Sequence, residues 1–478
     1  MKKHEIVENI KVDKLIFGGK GLGLAPDGKK IIIGGGVIPG SVINLRILKD
    51  RKNYYEAQML EEVVKSPLEQ PLPAHFQVYG GCKWLPINHD DQLRIKTEQV
   101  KEAFNYLKDY VVDATFHPII ASPEIYGYRN KVEFSWGKYI SAREEVHDEF
   151  RFGFHKQGEF DRIIDCSFCV LADDETNSIF KEVNTFSRNS GITTYDPKSQ
   201  IGFWRHFVVR KAKFTGEIML IFSVNDAYLN SSESIEFQKI FSDFVANLTK
   251  KYPNIKSVYY LKNNGKADIV TGEFELVFGQ KTITEKLLGK SFEINPKSFF
   301  QTNSLGAEKL YSEVLNLIGT EKRGLALDLY AGTGTIGIML ADRFNKVYSV
   351  ELVKEASLDG EKNAKLNKAN NIEFVNAKVE DFLKNFIKKE TGLENIRPVS
   401  EVDLLVIDPP RDGMHPDTLP SIIAFDSETI IYVSCNPATL ARDLDFIVKN
   451  STYKITDVIP VDMFPHTHHI ETIVKLVK

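Results

Sequence analysis

Cysteine is scarce in this chain. Only four occur in 478 residues. They do not make a disulfide framework, so reduced thiols and a cytoplasmic setting are expected. Long apolar runs are missing too. No stretch is long enough to span a bilayer, and the start, Met1-Lys2-Lys3-His4-Glu5, leads into no apolar secretory segment. No excess of one charge is present either. The net charge is −4, so any basic surface for nucleic acid must be local. Basic residues do gather at Arg205, Arg210, Lys211 and Lys213, where a solvated strand face explains them equally well. Prolines and glycines are spread along the chain, which implies no large disordered block. A monomer without a membrane partner is expected.

What is present is periodic. Residues 1–63 read as short strands with glycine turns, among them Gly18-Gly19-Lys20-Gly21-Leu22-Gly23, Lys30-Ile31-Ile32-Ile33 and Gly40-Ser41-Val42-Ile43-Asn44-Leu45. Such spacing predicts a small OB-like barrel. Barrels of this kind often bind RNA, and a packing module fits as well. Residues 64–300 read as a central α+β domain. It has a helical face over 93–111 (Leu93, Ile95, Val100, Phe104, Leu107) and a helix around Ser234–Leu248. From residue 301 strands and helices alternate. Helices are predicted at Leu305–Ile318, Ile336–Arg343 and Ala356–Asn367. Strands are predicted at Ala326–Leu329, Lys346–Val350, Ile372–Val375, Val402–Ile407, Thr429–Val433 and Thr472–Leu476. That alternation means an α/β fold with a doubly wound, Rossmann-like parallel sheet.

Three strand ends carry chemistry. The first is Asp328-Leu329-Tyr330-Ala331-Gly332-Thr333-Gly334-Thr335-Ile336-Gly337, which matches the G-x-G-x-x-G of nucleotide-type cofactor loops. Glu351 ends the next strand, where a carboxylate can accept from ribose hydroxyls. NAD and S-adenosylmethionine both carry that ribose, so the loop alone leaves both open. The second is Asp408-Pro409-Pro410-Arg411-Asp412-Gly413. The third is Ser434-Cys435-Asn436-Pro437. A cysteine flanked by apolar residues is usually a packed core thiol. Here Asn-Pro moves it into a loop, and a thiol where parallel strands end suggests covalent catalysis.

These motifs, with Lys297-Ser298-Phe299-Phe300-Gln301-Thr302-Asn303 and Phe464-Pro465-His466-Thr467-His468-His469-Ile470-Glu471-Thr472, resemble the RNA uracil-C5 methyltransferases of the RumA/TrmA type. The resemblance covers nearly the whole chain. It implies a class I methyltransferase domain dependent on S-adenosylmethionine (301–478), an N-terminal TRAM barrel for RNA (1–63) and the central domain (64–300). It implies Cys435 as the nucleophile on uracil C6 and Glu471 as the general base. It sets Gln301, Tyr330, Gly332, Gly334, Thr335, Glu351 and Asp408 around the methyl donor and uracil. Thr335 stands where some relatives have Asn. The TRAM barrel favours 23S rRNA as substrate and 5-methyluridine as product. Alternatives are a tRNA substrate, or a non-catalytic RNA-binding factor that retains the fold. Exocyclic-amine methylation is disfavoured by Arg411, since an aromatic would follow Asp-Pro-Pro there.

The same resemblance carries a departure. Ribosomal members hold a four-cysteine iron–sulfur cluster in the central domain. The matching segment here, residues 73–82, keeps only Cys82; Pro73 and Tyr79 occupy two ligand positions. Cys169 matches the fourth, with Cys166 nearby. Three thiols fall short of the four such a cluster takes, so neither a cluster nor another metal is expected. His466, His468 and His469 lack a carboxylate or thiol at suitable spacing and read as hydrogen-bonding or structural groups.

Overall fold

The computed structural model describes residues 1–34, 36–73, 76, 79–141, 146–156, 159–226, 234–266, 269–388 and 402–478. Residues 6–64 form a six-stranded sheet. Its alternation buries Ile31, Ile33, Ile43, Leu45 and Ile47. The sheet curls until its first strand meets its third. A Cβ on Gly23 would lie 2.6 Å from the Lys11 carbonyl oxygen, so glycine permits the approach.

The helical face expected over 93–111 is two elements. Helix α1 (His89–Ala103) is followed by a 3-10 stretch, Phe104–Tyr110. The helix starts early because Asn88 caps it, accepting from Asp91 N–H at 2.9 Å. A seven-stranded sheet then spans Lys131–Gly279. Helices Asp174–Asn189 and Ser234–Lys251 accompany it. The first of these was not expected. It is set by an Asp173 cap on Thr176 N–H at 2.8 Å and buries Ile179, Phe180 and Val183. The basic cluster at 205–213 is not a solvated face. Arg205 and Arg210 are buried, while Lys211 and Lys213 pair with Glu175 and Glu124 at 2.6 Å.

An eight-stranded sheet positions the site. Its strands are β1 (Thr115–Phe116), β2 (Arg323–Leu329), β3 (Phe344–Glu351), β4 (Ile372–Asn376), β5 (Val402–Ile407), β6 (Thr429–Ser434), β7 (Lys454–Val461) and β8 (Glu471–Val477). Their order is β4-β3-β2-β5-β6-β8-β7-β1. Strands β2 to β6 are parallel, and β8 runs antiparallel between β6 and β7. The sheet is therefore mixed rather than wholly parallel. Its edge strand β1 pairs with β7 and comes from residues 115–116, far outside 301–478. Helices α2 (Ser304–Ile318), α3 (Thr335–Leu340), α4 (Lys354–Leu366) and α5 (Pro437–Lys449) connect or cover the strands.

Both faces of this sheet are covered. Along β6, Ile430 and Tyr432 join Leu440 and Leu444 of α5 in one core. Ile431 and Val433 join Leu310 and Val314 of α2 in the other. Each such buried aliphatic side chain contributes about 1.5–3 kcal/mol. Among the described residues no helix is long and apolar enough to cross a membrane.

Candidate active site

The strand order reverses at β2: β3 lies on one side and β5 on the other. Ligands of open α/β sheets bind where the strands end at such a point. The loops after β2, β3, β5 and β6 all open there. Because β8 is antiparallel, its first residue reaches the same edge. Glu471 opens β8 opposite Val461, and Thr472 pairs with Ser434, the residue before Cys435. One cavity of about 1350 Å³ results, lined by Gln301, Tyr330, Gly332, Thr335, Glu351, Asp408, Cys435 and Glu471. Gly334 does not line it; it is the N-cap of α3.

On the β2–β3 side the backbone is tightly wound. Tyr330, Gly332 and Gly334 have φ of 62°, 57° and 73°. A Cβ on Gly334 would meet the Phe374 ring at 2.4 Å. Tyr330 has no glycine freedom, and such a residue persists only where its surroundings hold it. Glu351 supplies part of that hold. Its two carboxylate oxygens accept from Gly332 N–H at 2.8 Å and Val353 N–H at 2.7 Å. A carboxylate has about four acceptor positions, so both oxygens retain capacity for a diol. Asp328 is a buried brace, accepting from Gly337 N–H at 2.9 Å and Ser349 Oγ at 3.1 Å. Burial pushes its carboxyl up to about 7.

On the β5–β6–β8 side the thiol and two carboxyl groups converge. Asn436 caps α5 through Ala438 N–H at 3.1 Å, and its amide donates to the Arg411 carbonyl at 2.9 Å. Asp443 of α5 accepts from Met414 N–H at 2.8 Å and Tyr432 Oη at 2.7 Å. The cysteine loop and the Asp-Pro-Pro loop are thus tied to each other. Burial pushes the Cys435 thiol up to about 11; the Glu471 and Asp408 carboxyls add to this and the Arg411 guanidinium opposes it. Burial raises Asp408 to about 7. It raises Glu471 well above the carboxylate range, with Asp408 adding and Arg411 opposing. Burial drives His466 and His468 down to about 4 and His469 to about 3.

Known proteins of similar sequence supply the family. The family described as tRNA (Uracil-5-)-methyltransferase matches residues 270–478. An uncharacterized RNA methyltransferase of Caldanaerobacter subterraneus subsp. tengcongensis is 34% identical over 100% of both chains. Another, from Clostridium tetani, is 36% identical over 94% of this chain and 93% of its own. The crystal structure of Pyrococcus abyssi tRNA (uracil-54, C5)-methyltransferase in complex with S-adenosyl-L-homocysteine is 27% identical. It superposes with a TM-score of 0.72 over 98% of this chain and 100% of that one. This chain belongs to the RNA uracil-C5 methyltransferase family. It is an RNA methyltransferase whose methyl donor is S-adenosylmethionine.

For this methyltransferase, sequence reasoning missed part of the wall. Arg129, two residues before the seven-stranded sheet, and His469 line the cavity. Arg129 carried no spacing signal. His469 lies two residues before Glu471, so an extended chain puts both on one side. Phe299 also lines the cavity and is 70% exposed. Tyr79 and Cys82 of the departing segment share an apolar core with Cys166 and Cys169. Tyr79 N–H donates to Cys82 Sγ at 3.3 Å. Burial raises the Cys82 thiol to about 11 and Cys166 to about 12. Ala74, His75, Gln77 and Val78 of that segment lie outside the described residues. Among the described residues no group of three or more His, Cys, Asp or Glu side chains could hold a metal ion.

Proposed function

We propose that this methyltransferase makes 5-methyluridine in 23S rRNA through a covalent bond between Cys435 Sγ and uracil C6. The observation that supports the covalent step most is a division of the cavity. A loop-bound carboxylate, Glu351, stands on one side. A thiol and two carboxyl groups that influence one another's ionisation stand on the other. Uracil C5 is a weak nucleophile. Sulfur adding to C6 makes an enolate and moves electron density to C5. Gly332, Thr335, Tyr330 and Glu351 are the residues to hold the cofactor, and Gln301 and Asp408 lie toward the reacting groups. S-adenosylmethionine, when bound, supplies the electrophilic methyl for C5.

In the resting site burial and the neighbouring carboxyls keep Cys435 a thiol. It reacts as the thiolate, its proton passing to water as the C6–S bond forms, which leaves an ionised Glu471 carboxylate free for the later step. Glu471 next takes the proton from the methylated C5. The C5–C6 double bond re-forms and the thiolate leaves. A base placed in this way typically contributes about 10²–10⁴-fold. A stacked base in folded RNA reaches this cavity only after flipping out.

A tRNA substrate is the second reading. The Pyrococcus abyssi likeness favours it, because that tRNA enzyme matches 98% of this chain. The N-terminal sheet therefore does not separate the two substrates. The test is to map 5-methyluridine in 23S rRNA and tRNA from cells lacking the gene, complemented with wild type or Cys435→Ala. One 23S position restored only by wild type is the expected result. A tRNA position restored instead moves the substrate to the second reading. No change in either RNA refutes both.

A further inference from the structure

The loop between β7 and β8, residues 462–470, is held from far away in the chain. Four consecutive carbonyls in it are each taken by a different segment. Asn303 Nδ2 donates to Met463 O at 2.8 Å, and Lys96 Nζ to Phe464 O at 3.0 Å. Tyr128 Oη donates to Pro465 O at 2.9 Å, and Trp84 N–H to His466 O at 2.9 Å. Two of these partners belong to or precede α1, and α1 does more. Lys96 and Asp462, both fully buried, form an ion pair at 2.6 Å. His89 Nε2 lies 2.9 Å from the other Asp462 oxygen. Gln92 Oε1 accepts from His466 N–H at 2.7 Å, and its amide nitrogen is 3.0 Å from His466 Nδ1 and 2.7 Å from Ile87 O.

His466 needs this grip. It is buried and has φ of 64°, a conformation costing of order 1–3 kcal/mol in a residue with a side chain. Its ring stacks on Tyr126 at 4.8 Å. A buried ion pair is weak evidence for stability, because desolvation offsets attraction; setting one arrangement among several is its better-attested use. Strand pairing already fixes Glu471. What remains to be fixed is the loop itself, which puts Phe464 and His469 into the cavity wall beside Glu471.

We propose that Gln92 and Lys96 are positioning residues for methyl transfer, holding the 462–469 loop so that Phe464 and His469 form the wall against which the target uracil is seated. The inference rests on the covalent reading given above. The Cys435 attack step should therefore feel the loss of the α1 grip, while the cofactor side should not.

The test uses full-length protein, S-adenosylmethionine, and 23S rRNA and tRNA transcribed with 5-fluorouridine in place of uridine. Once C5 is methylated fluorine cannot leave it as a cation, so the methylated adduct accumulates and its formation can be timed. A folding defect lowers the fraction that reacts, the amplitude. A positioning defect lowers the rate constant at full amplitude. Gln92→Leu removes every polar contact at similar size. Its rate constant should fall about tenfold or more, since misplacements near 1 Å can cost about 100-fold. S-adenosylmethionine affinity should stay within about twofold of wild type. Gln92→Glu keeps the acceptor for His466 N–H and should recover part of the rate, which supplies the test even where the leucine variant folds poorly. Rate constants equal to wild type in both variants overturn the proposal and leave the covalent reading intact. Absence of any adduct from wild type overturns the covalent reading and this proposal with it.

Discussion

Glu351→Gln gives a quantitative test of the cofactor side. The carboxylate accepts two backbone N–H groups, one on each oxygen. Glutamine has nearly the same shape but only one oxygen. Whichever way the amide turns, its NH2 faces either Gly332 N–H or Val353 N–H, and two donors oppose each other. One hydrogen bond to a charged group is lost, worth about 1.5–3 kcal/mol. That loop carries Tyr330 at a φ of 62°, a conformation that is strained in a residue with a side chain, so it has strain to release once a tether goes. The loop must be ordered to bind, and the loss should appear in binding as an affinity about 10- to 100-fold weaker. Titration calorimetry with S-adenosylmethionine or S-adenosylhomocysteine measures this. Cys435→Ala is the internal control, because it sits across the cavity and should leave affinity unchanged. A Glu351→Gln affinity within about threefold of wild type refutes the reasoning, as does an equal loss in the Cys435 variant.

The remaining predictions concern the reacting side and the buried thiols. Cys435→Ala should form no adduct with 5-fluorouridine RNA and transfer no methyl group; retained turnover would remove the cysteine from the mechanism. Glu471→Gln should slow turnover by about 10²–10⁴-fold and accumulate a methylated protein–RNA adduct with ordinary RNA, visible as a band shift in denaturing gels. Normal turnover with no band would mean that another group takes the proton. The carboxyls of Asp408 and Glu471 and the Cys435 thiol are all raised, and the reacting forms of the thiol and the base are ionised. Thiol attack precedes methyl transfer and proton removal from C5 follows it, so kcat/KM reports the loss of the one thiol proton and should climb about tenfold per unit from pH 6 toward 8; a flat profile there contradicts this. Protein prepared without oxygen should contain far less than four irons per chain, and Cys82→Ser should stay active. Iron and sulfide near four per chain would refute the first claim, and an inactive serine variant the second.

Much of the catalytic half was legible in the linear chain, because its signals are local. The β2 loop announces itself through glycines at a spacing that its positive φ angles require. Alternation of apolar strands with helical periods marked the doubly wound sheet, and the strand-end motifs placed Glu351, Asp408 and Cys435 at one edge. Glu471 was harder. Its place beside Cys435 depends on β8 running antiparallel next to β6, and strand order is not written in the period of either strand. The same limit hid the β1 edge, because Thr115 and Phe116 pair with Asp457 and Val458. It also hid the burial of Arg205 and Arg210, which as a run of basic residues look like surface.

The α1 grip shows the limit most plainly. Gln92 and Lys96 sit among charged residues on what reads as an ordinary helix. Their partners His466 and Asp462 lie 374 and 366 positions away. Hydrophobic period, turn chemistry and capping act over a few residues, so a sequence displays them directly. Pairings across hundreds of residues exist only once the cores have packed and brought the segments together. The chemistry available to this chain was therefore decided by residue type and local spacing. Which groups share a cavity, and which protonation states burial and neighbours impose on them, was decided by the tertiary fold.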